Sequence, residues 1–136
     1  MVALGRAAAL AMKRLPEYAE RVGALRDELH RRIRERVPNA VLNGHPAERL
    51  PNTLNLSFPG VNAAALLAAI RDQVACSIGS ACHAGHAAPS QVLLAMGRDP
   101  GLAAAALRLS LGWATARQKI WQAADMIGAA VPALIG

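Results

Sequence analysis

A chain of 136 residues suits one domain with a conventional core, and a fold of that size buries roughly two thirds of its unfolded surface. Apolar residues make up 54% of it, much of that Ala, but aromatics only 3%, so the core must be built mainly from Leu, Val and Ile. The net charge of +6 comes from thirteen Arg and two Lys against nine acids. Between Arg14 and Arg36 the basic residues alternate with Glu17, Glu20, Asp27, Glu28 and Glu35, which favours a solvated, salt-bridged helix face over a nucleic-acid groove.

No apolar run approaches the ~18 residues of a membrane span. Residues 1–14 lack the features of a secretory signal, so a cytoplasmic protein is expected. Residues 3–36 carry Leu10, Val22, Leu25, Leu29 and Ile33 at helical spacing, which predicts a long helix or a pair broken near Pro16. Pro38 ends it. Val41-Leu42-Asn43 reads as a short strand running into the turn signal Asn43-Gly44-His45-Pro46. Thr53 to Phe58 alternates polar and apolar residues, the mark of a half-buried strand, with Leu54, Leu56 and Phe58 on one side.

Asn62 is placed to cap a helix from Ala63 to Arg71, and Val74 to Ser77 is a candidate strand. Ser90 is expected to cap a short helix stopped by Gly97, and Asp99-Pro100 to open another through Ala106. Leu107 to Leu111 alternates again and turns Arg108 and Ser110 away from the core, as Asn55 and Ser57 do on the earlier strand. Thr115-x-x-Gln118 has the spacing of a capping box for a last helix, whose Ile120, Ala124, Ile127 and Val131 form one stripe. The sum is an α+β fold, a small antiparallel sheet with helices packed on one face.

The chemistry concentrates between Cys76 and His86. Cys82 ends a Gly-Ser-Ala run and reads either as a nucleophile on an exposed loop or as a small buried apolar residue; Cys76, at the end of an apolar strand, reads as structural. Cys76, Cys82, His83 and His86 also offer a zinc ligand set, though neighbouring ligands at 82 and 83 are geometrically awkward. His30 and His45 read as a helix-face residue and a turn residue. Arg108 has the rigid fork that takes a carboxylate bidentately, and an ion pair with a helix is its alternative. Neither Lys13 nor Lys119 has surroundings that suggest a Schiff base.

Four stretches in order and in register carry a resemblance: Leu50-Pro51-Asn52-Thr53-Leu54-Asn55-Leu56-Ser57-Phe58, Ser77-Ile78-Gly79-Ser80-Ala81-Cys82, Pro89-Ser90-x-Val92-Leu93 and Leu107-Arg108-Leu109-Ser110-Leu111-Gly112. Together they resemble the C-terminal small domain of the pyridoxal-phosphate-dependent cysteine desulfurases and the related selenocysteine lyases, within the class V aminotransferase family.

The resemblance implies that Cys82 is the mobile-loop cysteine that takes sulfur from cofactor-bound L-cysteine as a persulfide and releases L-alanine. The sulfur would serve iron-sulfur cluster assembly or thiolation. It also implies that Arg108 binds the substrate's α-carboxylate, that pyridoxal 5'-phosphate is the cofactor, and that the complete enzyme is a homodimer that delivers sulfur to an acceptor or scaffold protein. Residues 1–136 then form one small domain, with 1–37 leading into a sheet, catalytic-loop and closing-helix region at 38–136.

Three departures qualify this reading. The large cofactor-binding domain, with its Schiff-base lysine, lies outside the chain and must act in cis or in trans, so the chain is expected to be inactive alone. His83 stands where desulfurases often carry Thr or Ser, which leaves selenocysteine open as a substrate. Trp113 replaces the Arg that commonly follows Gly112. A noncatalytic persulfide carrier or scaffold module, and a zinc-binding regulatory domain, are the alternatives.

Overall fold

The computed structural model describes residues 2–79 and 89–135. In chain order its elements are α1 (Val2–Arg36), β1 (Val41–Leu42), β2 (Thr53–Ser57), α2 (Ala63–Ile70), β3 (Cys76–Ser77), α3 (Gln91–Ala95), α4 (Pro100–Ala104), β4 (Ala106–Ser110) and α5 (Arg117–Ala133). The strands form one sheet in the order β1-β2-β4-β3, and every neighbouring pair is antiparallel. The expected α+β architecture is therefore present.

Strand alternation divides the residues between two faces. Leu54 and Leu56 on β2, with Leu107 and Leu109 on β4, turn to one side and are buried against Val22, Leu25, Leu29 and Ile33 of α1, Leu66 and Ile70 of α2, and Ile120, Ala124, Ile127 and Val131 of α5. Each buried Leu, Ile or Val side chain among them contributes about 1.5–3 kcal/mol by leaving water. On the opposite face the short helices α3 and α4 cover one corner, where Leu93 and Ala103 pack on Ala106. Apart from Val41, which pairs with Ser57, the rest of that face is polar among the described residues.

α1 is a single helix of 35 residues despite Pro16 within it. The lost hydrogen bond is tolerable because residues 2–17 are all exposed and the freed carbonyl faces water. Leu10, grouped with the core by its spacing, is exposed for the same reason: the helix outruns the body of the domain. Helical periodicity tells which face is apolar, not how far the surface beneath it extends.

α5 lies along the second half of α1. Trp121 Nε1 donates to Glu28 Oε1 at 2.6 Å, Arg117 pairs with Glu28 at 3.1 Å, and the Arg32 guanidinium sits 4.3 Å from the Trp121 ring centroid. Arg36 pairs with Asp125. On α1 itself Arg31 pairs with Glu35, and Arg32 with Glu28 at 3.4 Å, so part of its interleaved charge forms helix-face ion pairs, as the alternation suggested. The Trp121 hydrogen bond and then the Arg117 and Arg32 charges hold the Glu28 carboxyl below its usual range.

Caps and strand ends correct several expectations. Asn62 Oδ1 accepts from Ala64 N and Ala65 N, and Asp99 Oδ1 from Gly101 N and Leu102 N, as anticipated. Ser90 occupies its N-cap position without a side-chain bond, and α5 starts after Ala116 with no side-chain cap. Thr115 does not cap that helix. Its Oγ1 accepts from Gly112 N at 2.8 Å and closes the turn that leaves β4. Gly97 ends its helix with φ of 76°, the conformation for which glycine is suited. β3 is shorter than expected, and α4 stops at Ala104 because Ala106 already pairs with Ser57.

Candidate functional site

Arg108 projects from the middle of β4 on the polar face and is exposed. Its register neighbours are Asn55 on β2 and Ser77 on β3, so Asn55, Arg108 and Ser77 form a row across three strands. Among the described residues no carboxylate lies within ion-pair distance of Arg108. The ion pair with a helix, the alternative for this residue, is not formed among them.

Cys76 pairs with Leu109 and therefore turns toward the helices, where it packs at the edge of the core. Burial pushes its thiol pKa up, which disfavours the thiolate and fits a structural residue. Ser77 turns the opposite way, onto the Arg108 face, and its hydroxyl donates to Gly79 O at 2.9 Å. Cys82, His83 and His86 lie outside the described residues. Among the described residues no group of three potential metal ligands gathers.

The polar face also holds a buried network whose members the sequence reading had separated. Asn43 follows β1 and pairs its backbone N with Asn55 O at 3.0 Å, so its side chain stands beside that of Asn55. Asn43 Nδ2 donates to Asn55 Oδ1 and to Ser57 Oγ, both at 2.8 Å, and Ser57 Oγ donates to Leu102 O at 2.6 Å. Ser57 is fully buried where α4 meets the sheet. The sequence places Asn43 at the end of the first strand and the start of its turn and assigns its side chain no partner. Its place one step beyond Val41-Leu42, in phase with the polar positions of β2, was the available signal.

Trp113, which stands where an Arg is common in the resembled family, has a structural role. It stacks on Tyr18 with ring centroids 6.1 Å apart, while Arg21 donates to Trp113 O at 2.6 Å and Thr115 O at 3.1 Å. This contact ties the end of the sheet to α1. His45 accepts from Ala47 N and Glu48 N and serves its turn, as read from the sequence. His30 is half-buried on α1 beside Arg49, and its Nε2 has no partner among the described residues.

No protein-family model matches the chain. It is 37% identical over 133 residues to cysteine desulfurase IscS of Ehrlichia chaffeensis, covering 98% of this chain and 32% of that protein. It is also 37% identical over 120 residues to the cysteine desulfurase of Rattus norvegicus, covering 88% of this chain and 26% of the relative. The chain is a relative of the cysteine desulfurases. A solved structure described as a NifS-like protein superposes with a TM-score of 0.79 at 25% identity, over 95% of this chain and 32% of that one. The NifS-like protein from Rickettsia africae shares the fold at the same TM-score and 22% identity, over 94% and 33%. The chain thus spans about a quarter to a third of the length of the relatives it matches, and the match is consistent with the C-terminal domain of a cysteine desulfurase.

Desulfurase kinship implies pyridoxal phosphate, and the described residues do not fit an anchor for it. An aldehyde cofactor needs a lysine at the reacting centre. Lys13 lies on the exposed half of α1, and Lys119 lies on α5, which packs on the sheet face opposite Arg108. Lys119 lines a groove of about 790 Å³ between α5 and the β3–β4 edge, away from the Asn55-Arg108-Ser77 row. No helix of the described residues is long and apolar enough to cross a membrane.

Proposed function

We propose that this chain acts as the small domain of a cysteine desulfurase, to which it contributes a sulfur acceptor, Cys82, and a carboxylate clamp, Arg108. One observation supports this most directly. Ser77, the last residue of β3, pairs with Arg108, and the segment that contains Cys82 leaves the sheet from that point. Gly79 is the last described residue before it, and three residues further on stands the thiol. The register therefore brings the start of the thiol-bearing segment and the only strand-borne arginine among the described residues to the same edge.

In this reading Arg108 holds an amino acid's α-carboxylate through two parallel N–H bonds, and the Cys82 thiolate takes the substrate's sulfur as a persulfide, leaving L-alanine. The pyridoxal phosphate that supplies the electron sink is held by another part of the protein, in cis or in trans, and the persulfide passes to a sulfur-accepting scaffold. L-cysteine is the substrate most in keeping with the relatives' names. The chain alone is inactive.

The test joins the chain to a large domain of desulfurase type and measures L-alanine release from L-cysteine. Wild-type chain should give turnover and a persulfide at position 82 by mass spectrometry. Cys82→Ser should abolish both. Turnover by the isolated chain, or persulfide formation that survives loss of Cys82, would overturn the proposal.

A further inference from the structure

Beyond the clamp itself, we infer that Asn55 is a second carboxylate-binding residue, whose side-chain Nδ2 donates to the same anion that Arg108 holds. The inference rests on the reading of Arg108 given above.

The starting point is Leu102 O, a backbone carbonyl that can only accept. Ser57 Oγ lies 2.6 Å from it and must spend its single proton there. Ser57 can then only accept from Asn43, which fixes the Asn43 atom at that contact as Nδ2. The same Nδ2 sends its other proton to Asn55 at 2.8 Å, so Asn55 must present Oδ1 to it. One backbone carbonyl thereby sets the orientation of two amides, which density or geometry alone rarely distinguishes.

The consequence falls on the far side of Asn55. β2 lies between β1 and β4, and with Oδ1 committed toward Asn43 at the β1 side, Nδ2 is directed away from it. Asn55 stands directly opposite Arg108, a placement that brings Cβ atoms to about 4.5–5.5 Å. It is partly exposed, and its Nδ2 has no acceptor among the described residues. Ser77, the neighbour on the other side of Arg108, is not equivalent because its proton already goes to Gly79 O. Arg108 therefore has one flanking neighbour with a donor to offer, and a carboxylate is the anion whose spread matches a guanidinium fork plus one amide N–H.

The isolated, nitrogen-15-labelled chain titrated with L-alanine, followed by proton–nitrogen correlation spectra, tests this. The Arg108 Nε–H and the two Asn55 Nδ2–H signals should shift along saturating curves with one shared midpoint. Asn55→Ala should raise that midpoint about three- to tenfold, the loss of one hydrogen bond of ordinary net strength at a partly exposed site, while Arg108 still responds. Asn55→Asp keeps the acceptor that Asn43 requires, so it covers the case in which the Ala variant does not fold; it should lose the Arg108 response. If Arg108 saturates while the Asn55 signals stay still, or if either variant leaves the midpoint unchanged, the inference fails and the clamp stands. If Arg108 does not respond, both fall.

Discussion

Ser77 pairs with Arg108 across the edge of the sheet, whereas Cys76, one residue earlier, pairs with Leu109 and turns into the helix layer. That single step of register separates the roles of adjacent residues. The side chain on the polar face marks where the thiol-bearing segment departs, and the thiol on the other face becomes part of the core.

The first prediction concerns Arg108. It is exposed and has no ion-pair partner among the described residues, so Arg108→Ala should change unfolding free energy by no more than about 0.5 kcal/mol. In a complete desulfurase assembly the same change should raise KM for cysteine far more than it lowers thermal stability. Arg108→Lys should not restore KM, because an ammonium lacks the planar fork. Chemical denaturation beside steady-state kinetics checks both halves.

Ser57 should behave in the opposite way. Ser57→Ala leaves Leu102 O and one Asn43 N–H without a partner in a buried place, and should cost about 1–3 kcal/mol. Urea unfolding measures it. A loss near zero would mean that water takes over both groups.

His30 carries a pH dependence. Burial, followed by the charges of Arg49 and Arg34, lowers its pKa below the usual 6.5, with Arg26 adding to this and Asp27 opposing it. The unfolded chain therefore binds a proton more readily than the folded one, so stability is full above the ordinary histidine range and declines as pH falls through about 6.5 toward the lower folded value. His30→Gln should flatten the thermal-midpoint profile between about pH 5 and 7, a window set by the unfolded reference value. An unchanged profile would assign the acid sensitivity elsewhere.

Cys76 should resist alkylation at neutral pH in the folded chain, since burial raises its thiol pKa and half covers it. Peptide mapping after iodoacetamide treatment, with and without urea, reads this directly. Modification at the unfolded rate in native buffer would contradict the assignment.

The exposed half of α1 bears on self-association. Val2, Leu4, Leu10, Met12 and Leu15 are all solvent-facing, and the isolated chain should self-associate through them. Leu4→Glu with Leu15→Glu should shift light scattering toward monomer with little change in stability, while Leu29→Ala in the buried half should cost about 2–5 kcal/mol. A monodisperse wild-type monomer would refute the first part.

Much of the fold was legible because local chemistry and burial agreed. The alternation at Thr53–Ser57 and Leu107–Ser110 named the two central strands and their polar side, and Asn62 and Asp99 marked real caps. What stayed hidden was pairing. Nothing local says that Asn55 meets Arg108, or that Asn43 joins Asn55 and Ser57, because register is decided by contacts across dozens of residues. Thr115 failed for a related reason: the capping-box spacing is present, but its hydroxyl found the nearer Gly112 N–H when β4 turned. Leu10 failed because periodicity carries no information about reach.

α1 is continuous in geometry and uneven in durability. Its second half is clamped by the sheet and α5, whereas residues 2–17 have no tertiary support among the described residues, and a free stretch of that length is only marginally helical in water. Amide hydrogen exchange should therefore grade steeply along one helix, from protection near the global unfolding limit at Val22–Ile33 to rapid fraying before Pro16. Whatever grips those first four turns would be felt as order spreading toward the amino end, with no change needed in the sheet itself.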